Sequence, residues 1–253
     1  PVVTGTYIFV IGANDGTMKG NRQYTVQVGS GKAILLVDEK ATGANNGSNW
    51  ENAFTDLQPA LAQTSAGDQV WVAKGTYSTG LTAAANFTLK EGVKWYGGFA
   101  GTENILTERD STLIRTTNET ILDGSKGVPS YHVVYNASAT LTAATVIDGF
   151  SISGGRALST YDSSTSFTSN YYGGGIYNVG GVAQFHNLWI KNNAASYGGG
   201  LYQSGKAQFS SIIFSNNTAK GKSPRGAAVY NAGGFTLENA TFEANEIIET
   251  TSY

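Results

Sequence analysis

The sequence predicts an all-β chain folded as a β-solenoid, in which short parallel strands stack coil upon coil. The first observation behind this is an internal repeat. Gly173-Gly174-Gly175-Ile176-Tyr177-Asn178 returns as Gly198-Gly199-Gly200-Leu201-Tyr202-Gln203 and, in degenerate form, as Gly226-Ala227-Ala228-Val229-Tyr230-Asn231. Ile190-Lys191-Asn192-Asn193 recurs in step as Phe214-Ser215-Asn216-Asn217 and Phe242-Glu243-Ala244-Asn245, at intervals of 24 and 28 residues. The second observation is the alternation between these motifs. Ala183, Phe185 and Leu188 correspond to Ala207, Phe209 and Ile212, then to Phe235, Leu237 and Ala240, the period-two signature of half-buried strands. A repeat this short cannot bury its apolar face alone, so it stacks on copies of itself, one strand spacing (~4.8 Å) apart. The third is composition: 33 Gly, no Cys and 13% charged residues in 253. An ordinary soluble domain carries ~25% charged residues, so this chain has the neutral, hydrogen-bonding surface of an extracellular β protein.

From the N-terminus, residues 1–31 read as two strands, Thr6–Ile11 and Gln23–Val28, around a Gly/Asn/Asp turn. A lone hairpin is marginal, so this segment is expected to be the last hairpin of a preceding β-sandwich-like module, or an extension docked on the solenoid. Residues 32–253 are expected to form the solenoid. Asn52–Gln63 places Phe54, Leu57 and Leu61 on one helical face, with Asn49 or Asn52 as cap and Pro59 in the first turn. A helix here would cover the open end of the stack. Val70–Ala73, Phe87–Leu89, Val93–Phe99 and His132–Tyr135 read as strands of the early coils. Val146–Ile152 aligns with Gln184–Ile190 at a spacing of 38, so an insertion falls in Arg156–Tyr172. In the corners, Gly supplies backbone angles with φ > 0. Asn tolerates the same region, and Asn193, Asn217 and Asn245 are expected to form an internal ladder. The abrupt start at Pro1 and the uncapped end near Glu246–Tyr253 lead us to expect a piece of a longer chain whose coils continue.

Several functions are disfavoured by the same residues. A net charge of −2 gives no basic footprint for nucleic acid, and no apolar run approaches the ~18 residues of a membrane helix. The absence of Cys removes disulfides, thiolate metal sites and Cys nucleophiles. Gly-Ser-Gly-Lys32 and Lys220-Gly-Lys-Ser223 lack the spacing of a phosphate loop. Two His, 54 residues apart, do not make a transition-metal site.

Residues 38–60, Gly67–Tyr77 and Tyr96–Glu103 resemble the start of large surface β-helix proteins of Bacteroidetes. The Gly-Gly-Gly-Ile/Leu and Phe-x-x-Asn repeats are similar to those of chlamydial polymorphic outer-membrane adhesins. The resemblance covers roughly 32–253. It implies a right-handed parallel β-helix of pectin-lyase-like type, secreted or surface-anchored, with other domains of the same long chain as its immediate partners. Fold analogy alone carries no activity.

Parallel β-helices also include polysaccharide hydrolases and lyases. Hydrolysis needs two facing carboxylates, yet residues 163–237 contain no Asp or Glu. A calcium-dependent lyase centre would draw on Asp110, Asp123 and Asp148 with Arg109, Arg115 or Arg156. A charge-neutral centre would draw on His186 with Tyr161, Tyr171 and Lys191, and the lyase alternative is therefore placed on Arg156, Tyr161 and His186 around the insertion. No cofactor is otherwise expected, and no metal ligands are assigned. The main expectation is non-enzymatic. Tyr177, Tyr202 and Tyr230 each follow an inward Ile, Leu or Val, so period two turns them outward. With Asn178, Gln203 and Asn231 beside them, they would offer aromatic faces and amides to a glycan or a cell-surface protein. The expected role is an adhesin or stalk module of a large secreted protein, with a purely structural spacer as a further alternative.

Overall fold

The computed structural model describes residues 5–14, 19–28, 32–158 and 168–250, the first two segments as backbone only. The chain divides into two compact units, Pro1–Ala33 and Ile34–Tyr253. In the first, strands Gly5–Asn14 and Lys19–Val28 pair antiparallel from Gly5↔Val28 to Asn14↔Lys19. Both strands exceed the alternating apolar segments seen in the sequence, because a ladder extends as long as each backbone group finds its partner across the hairpin.

The second unit is mostly β, built from parallel sheets of eleven, five and four strands. Ile176–Asn178 lies in the five-stranded sheet, Gln184–His186 and Trp189–Lys191 in the eleven-stranded sheet, and Ala194–Ala195 in the four-stranded sheet. The chain then repeats the order: Leu201–Gln203, Gln208–Ser215 and Thr218–Gly221, followed by Val229–Asn231, Thr236–Glu243 and Glu246–Glu249. Each strand pairs parallel to its counterpart one repeat earlier. Phe185 pairs with Phe209 and Phe209 with Leu237. Val146 pairs with Gln184, the register expected from the 38-residue spacing. Two early strands, Phe87–Thr88 and Val134–Asn136, complete the five-stranded sheet. Ile34–Val37, which the sequence reading assigned to no strand, is the first strand of this unit and pairs parallel with Gln69–Ala73.

Inward side chains continue from repeat to repeat. Phe185 and Phe209 are buried and stack at 4.4 Å with ring planes 6° apart. Ile152, Ile190 and Phe214 form a second buried row. Burying each such side chain is worth about 1.5–3 kcal/mol. The expected Asn ladder is present: Asn193 Nδ2 donates to Asn217 Oδ1 at 3.1 Å and Asn217 Nδ2 to Asn245 Oδ1 at 2.9 Å.

The Gly-Gly-Gly motif serves two purposes. Only its first residue, at 173, 198 and 226, has positive φ (60–69°). In the first two copies the second and third are held to Gly by close approach, whereas the third copy carries Ala227 and Ala228 there. A Cβ on Gly174 would lie 2.4 Å from Ala194 O, and one on Gly175 2.6 Å from Gly200 O.

The helix is shorter than its apolar pattern suggests. It runs Leu57–Gln63, and Asp56 caps it by accepting from Gln58 N at 2.9 Å. Pro59 falls in the first turn, where the helix needs no donor. Phe54 lies before the helix, in extended pairing with Val37, and Asn49 caps Asn52 N within the preceding loop. Leu57, Ala60 and Leu61 are buried, and the helix packs against Ile34–Val37 and Gln69–Ala73. Most of the inserted segment, including Tyr161, lies outside the described residues. No helix among those described is long and apolar enough to cross a membrane.

Candidate functional site

The outward side of the five-stranded sheet is a column of tyrosines. Tyr135, Tyr177, Tyr202 and Tyr230 occupy equivalent places in four successive strands. Their rings stack at 5.3, 5.3 and 5.8 Å, with planes within 10–12° of parallel. Alternation sets their direction: Ile176 and Leu201, one residue earlier, are fully buried, while the tyrosines are half-buried. Tyr135 completes the column, and the signal for it was available, since Val134-Tyr135-Asn136 matches Ile176-Tyr177-Asn178.

A second column starts at the adjoining corner. Tyr172 and Tyr197 bridge in parallel and stack at 5.0 Å, and exposed Arg225 takes the next place. The two columns incline toward each other: Tyr172 meets Tyr202 at 4.6 Å and 54°, and Tyr197 meets Tyr230 at 5.6 Å and 59°. Within each column the ring faces lie on one another. The surface therefore presents ring edges and hydroxyls rather than the free aromatic faces expected from sequence. Burial, reinforced by neighbouring phenols, raises the pKa values of Tyr177 and Tyr172. Both hydroxyls remain protonated donors at physiological pH.

The amides expected beside the tyrosines lie elsewhere. Asn178 and Gln203 are fully buried. The alternation that turns Tyr177 outward turns the next residue inward again. There they form an internal polar row, with Asn136 Nδ2 donating to Asn178 Oδ1 at 2.7 Å and Asn178 Nδ2 to Gln203 Oε1 at 2.6 Å. Asn231 is exposed, but its side chain folds onto Gly233, accepting from its N–H and donating to its carbonyl. None of the three flanks the column as a surface amide.

Of the residues of the lyase alternative, Tyr161 lies outside the described residues, and Arg156 and His186 lie in different sheets. Arg156 is exposed in the four-stranded sheet, paired with Ala194. His186 lies in the eleven-stranded sheet, its Nδ1 2.6 Å from Ser210 Oγ and its Nε2 3.5 Å from Gln184 Oε1. Lys191 pairs with Glu119 at 2.6 Å and lies 3.6 Å from the centre of the Trp189 ring.

The carboxylates considered for calcium are each engaged locally. Asp110 accepts from Thr112, Asp123 from Ser125, and Asp148 pairs with Arg109 at 3.0 Å. No group of three or more acidic or His residues placed to hold a metal occurs among the described residues.

Arg109 and Arg115 work as ties across repeats. Arg109 donates to Gly97 O at 2.9 Å, and Arg115 to Ser211 O at 2.5 Å, 96 residues away in sequence. A separate cleft of about 250 Å³ is lined by Leu36, Trp50, Trp71, Glu103 and Asn104. Its carboxylate is saturated by the N–H groups of Ala100, Gly101 and Thr102. The paired tyrosine columns are thus an ordered, repeating outward feature among the described residues. No family model, curated protein or solved structure matches this chain.

Proposed function

We propose that residues 34–250 wind as a right-handed parallel β-helix and act as a non-enzymatic, surface-exposed adhesive module of a larger secreted protein, binding glycan through the tyrosine face. The winding is supported by the order of sheets, which the chain visits in the same sequence on three consecutive passes. Parallel crossovers are right-handed in ~98% of cases, which supports the hand. The resemblance to Bacteroidetes surface β-helices and chlamydial adhesins supports the setting.

The observation that carries the binding role is the in-register column Tyr135–Tyr177–Tyr202–Tyr230. It repeats one outward hydroxyl donor per strand on a rigid support. One fact favours a second reading, a structural spacer: the rings stack on one another and so stabilise the sheet by themselves, each pair being worth about 0.5–1.5 kcal/mol.

Replacing all four tyrosines by Phe separates the two readings, because it keeps the stacking and removes the hydroxyls. On arrays of neutral and acidic polysaccharides, the adhesive reading expects the native chain to bind at least one class. It expects the fourfold Tyr→Phe variant to lose that binding with its melting temperature unchanged. Binding that survives the four substitutions, or no binding by either protein, would overturn the role given to the column.

A further inference from the structure

We infer that residues 104–119 are a clasp that joins four successive strands of the eleven-stranded sheet into one cooperative unit and leaves residues 236–249 outside it. This goes beyond the adhesive reading and does not depend on it. In a stack of repeats each one contacts only its neighbours, so such a stack can peel from an end one repeat at a time. The segment between strands Lys94–Phe99 and Thr120–Asp123 breaks that rule. It bonds to repeats that follow it in the chain, one of them 96 residues away.

The bonds fall in order along the stack. Lys94–Phe99, Val146–Asp148, Gln184–His186 and Gln208–Ser215 are successive neighbours in the sheet. Arg109 takes the first two, donating to Gly97 O at 2.9 Å and pairing with Asp148 at 3.0 Å. Glu119 takes the next strands of the second and third repeats. Its Oε1 accepts from Ser151 Oγ at 2.5 Å and from Lys191 Nζ at 2.6 Å. Arg115 reaches the fourth strand, donating to Ser211 O at 2.5 Å. Ile114, 4% exposed, seats the segment on Gly98, where a Cβ would lie 2.3 Å from its Cγ2. Among the described residues the segment makes no hydrogen bond or ion pair to 236–249, so its reach ends at Ser211.

Ser211 is also the corner in greatest need of a tie. It has φ 58°, and its counterparts in the neighbouring strands are Gly149, Asn187 and Asn239, all with positive φ. Gly and Asn tolerate that region and Ser does so less readily. The Arg115 guanidinium holds the carbonyl of this corner from outside, and Ile212 and Phe214 just beyond it are fully buried. Tyr135, Tyr177 and Tyr202 lie in sequence between Gly97 and Ser211, so their strands belong to the clasped unit.

Amide hydrogen exchange on the whole chain, read segment by segment, tests the clasp. In the native chain 94–99, 146–153, 184–191 and 208–215 are expected to share one level of protection, with 236–249 exchanging faster by on the order of tenfold. Arg115→Met keeps an unbranched side chain and removes the bond to Ser211 O. It should speed exchange in 208–215 by on the order of tenfold, the worth of one hydrogen bond from a charged group, and leave 94–99 and 146–153 unchanged. Arg115→Lys keeps the charge and gives up the planar fork. A smaller rise confined to 208–215 is expected of it, and this variant decides the matter where the Met variant does not fold.

A native gradient falling evenly from 146–153 to 236–249 would overturn the clasp, because neighbour-by-neighbour stacking produces that pattern. So would a variant that leaves 208–215 as protected as before, or one that speeds every segment alike.

Discussion

At His132 the surroundings fix a charge state. The ring is 4% exposed and donates from Nδ1 to Gly173 O at 2.9 Å, while Nε2 has no partner. It stacks against Tyr135 and Tyr177 at 5.5 and 4.9 Å, beneath the tyrosine column. Burial lowers its pKa from 6.5 to about 4, outweighing the backbone carbonyls that favour the charged ring. Above pH 6.5 the imidazole is neutral both folded and unfolded, and it adds no pH dependence. Between pH 6.5 and 4 the unfolded chain takes up a proton that the folded chain refuses. Stability therefore falls through that window, by about 3 kcal/mol in all, and this contribution is constant below it. His132→Phe keeps the stacking and leaves Gly173 O without its donor, which costs about 1 kcal/mol at pH 7. Urea denaturation at pH 7 and pH 4.5 is expected to show the native chain losing more stability than the Phe variant between the two. Equal losses would mean that the ring is not kept neutral.

The Asn ladder shows how an element differs from its corner. Asn216 and Asn217 are adjacent, yet they sit in opposite environments. Asn216 is exposed with φ 53°, its side chain chosen for the left-handed backbone alone. Asn217 is fully buried. Its Oδ1 accepts from the backbone and side-chain N–H groups of Asn193, and its Nδ2 donates to Ile190 O and Asn245 Oδ1.

Asn216→Ala is expected to cost about 1 kcal/mol of backbone strain. Asn217→Leu strands several buried partners, at about 1–3 kcal/mol each, and is expected to cost at least three times as much. Denaturant midpoints of the two variants check the ratio, and comparable losses would remove the ladder from the account of stability.

This ladder was legible in the sequence because a corner that recurs every 24 or 28 residues repeats its chemistry with it. The tyrosine column was legible for the same reason. The burial of Asn178 and Gln203 was equally available from alternation, which applies to the residue after Tyr177 as firmly as to the residue before it. The ties of Arg109 and Arg115 left no such trace. Their partners are a carboxylate and main-chain carbonyls far along the sequence, and a carbonyl has no residue identity to read. The helix start was misplaced because Asn49, Asn52 and Asp56 are all competent caps. Only tertiary pairing of Phe54 with Val37 decides among them.

For the 253-residue molecule as a whole, the last repeat carries an unusual combination of exposed apolar and acidic side chains. Phe242 stacks on Phe214 at 5.2 Å, yet it is 54% exposed where Phe214 is fully buried. Ile247 is 56% exposed, while its register partner Ala219 is buried. These side chains lie on strands Thr236–Glu243 and Glu246–Glu249, which stand last in their sheets. An apolar edge of this kind recruits other strands unless charge opposes it. Glu238, Glu243, Glu246 and Glu249 are all exposed on these two strands, immediately after a 75-residue stretch, 163–237, with no carboxylate at all. Pairing two such edges would bring eight carboxylates together. In a chain of these 253 residues, where the two strands form an edge, the four Glu oppose pairing between copies and Phe242 and Ile247 favour it. The fourfold Glu→Gln variant is expected to self-associate at concentrations where the native chain sediments as a monomer. Adding Phe242→Ser and Ile247→Ser to that variant should restore the monomer. Sedimentation velocity across a concentration series decides the matter. A Gln variant as monomeric as the native chain would show that the acidic edge plays no part in keeping copies apart.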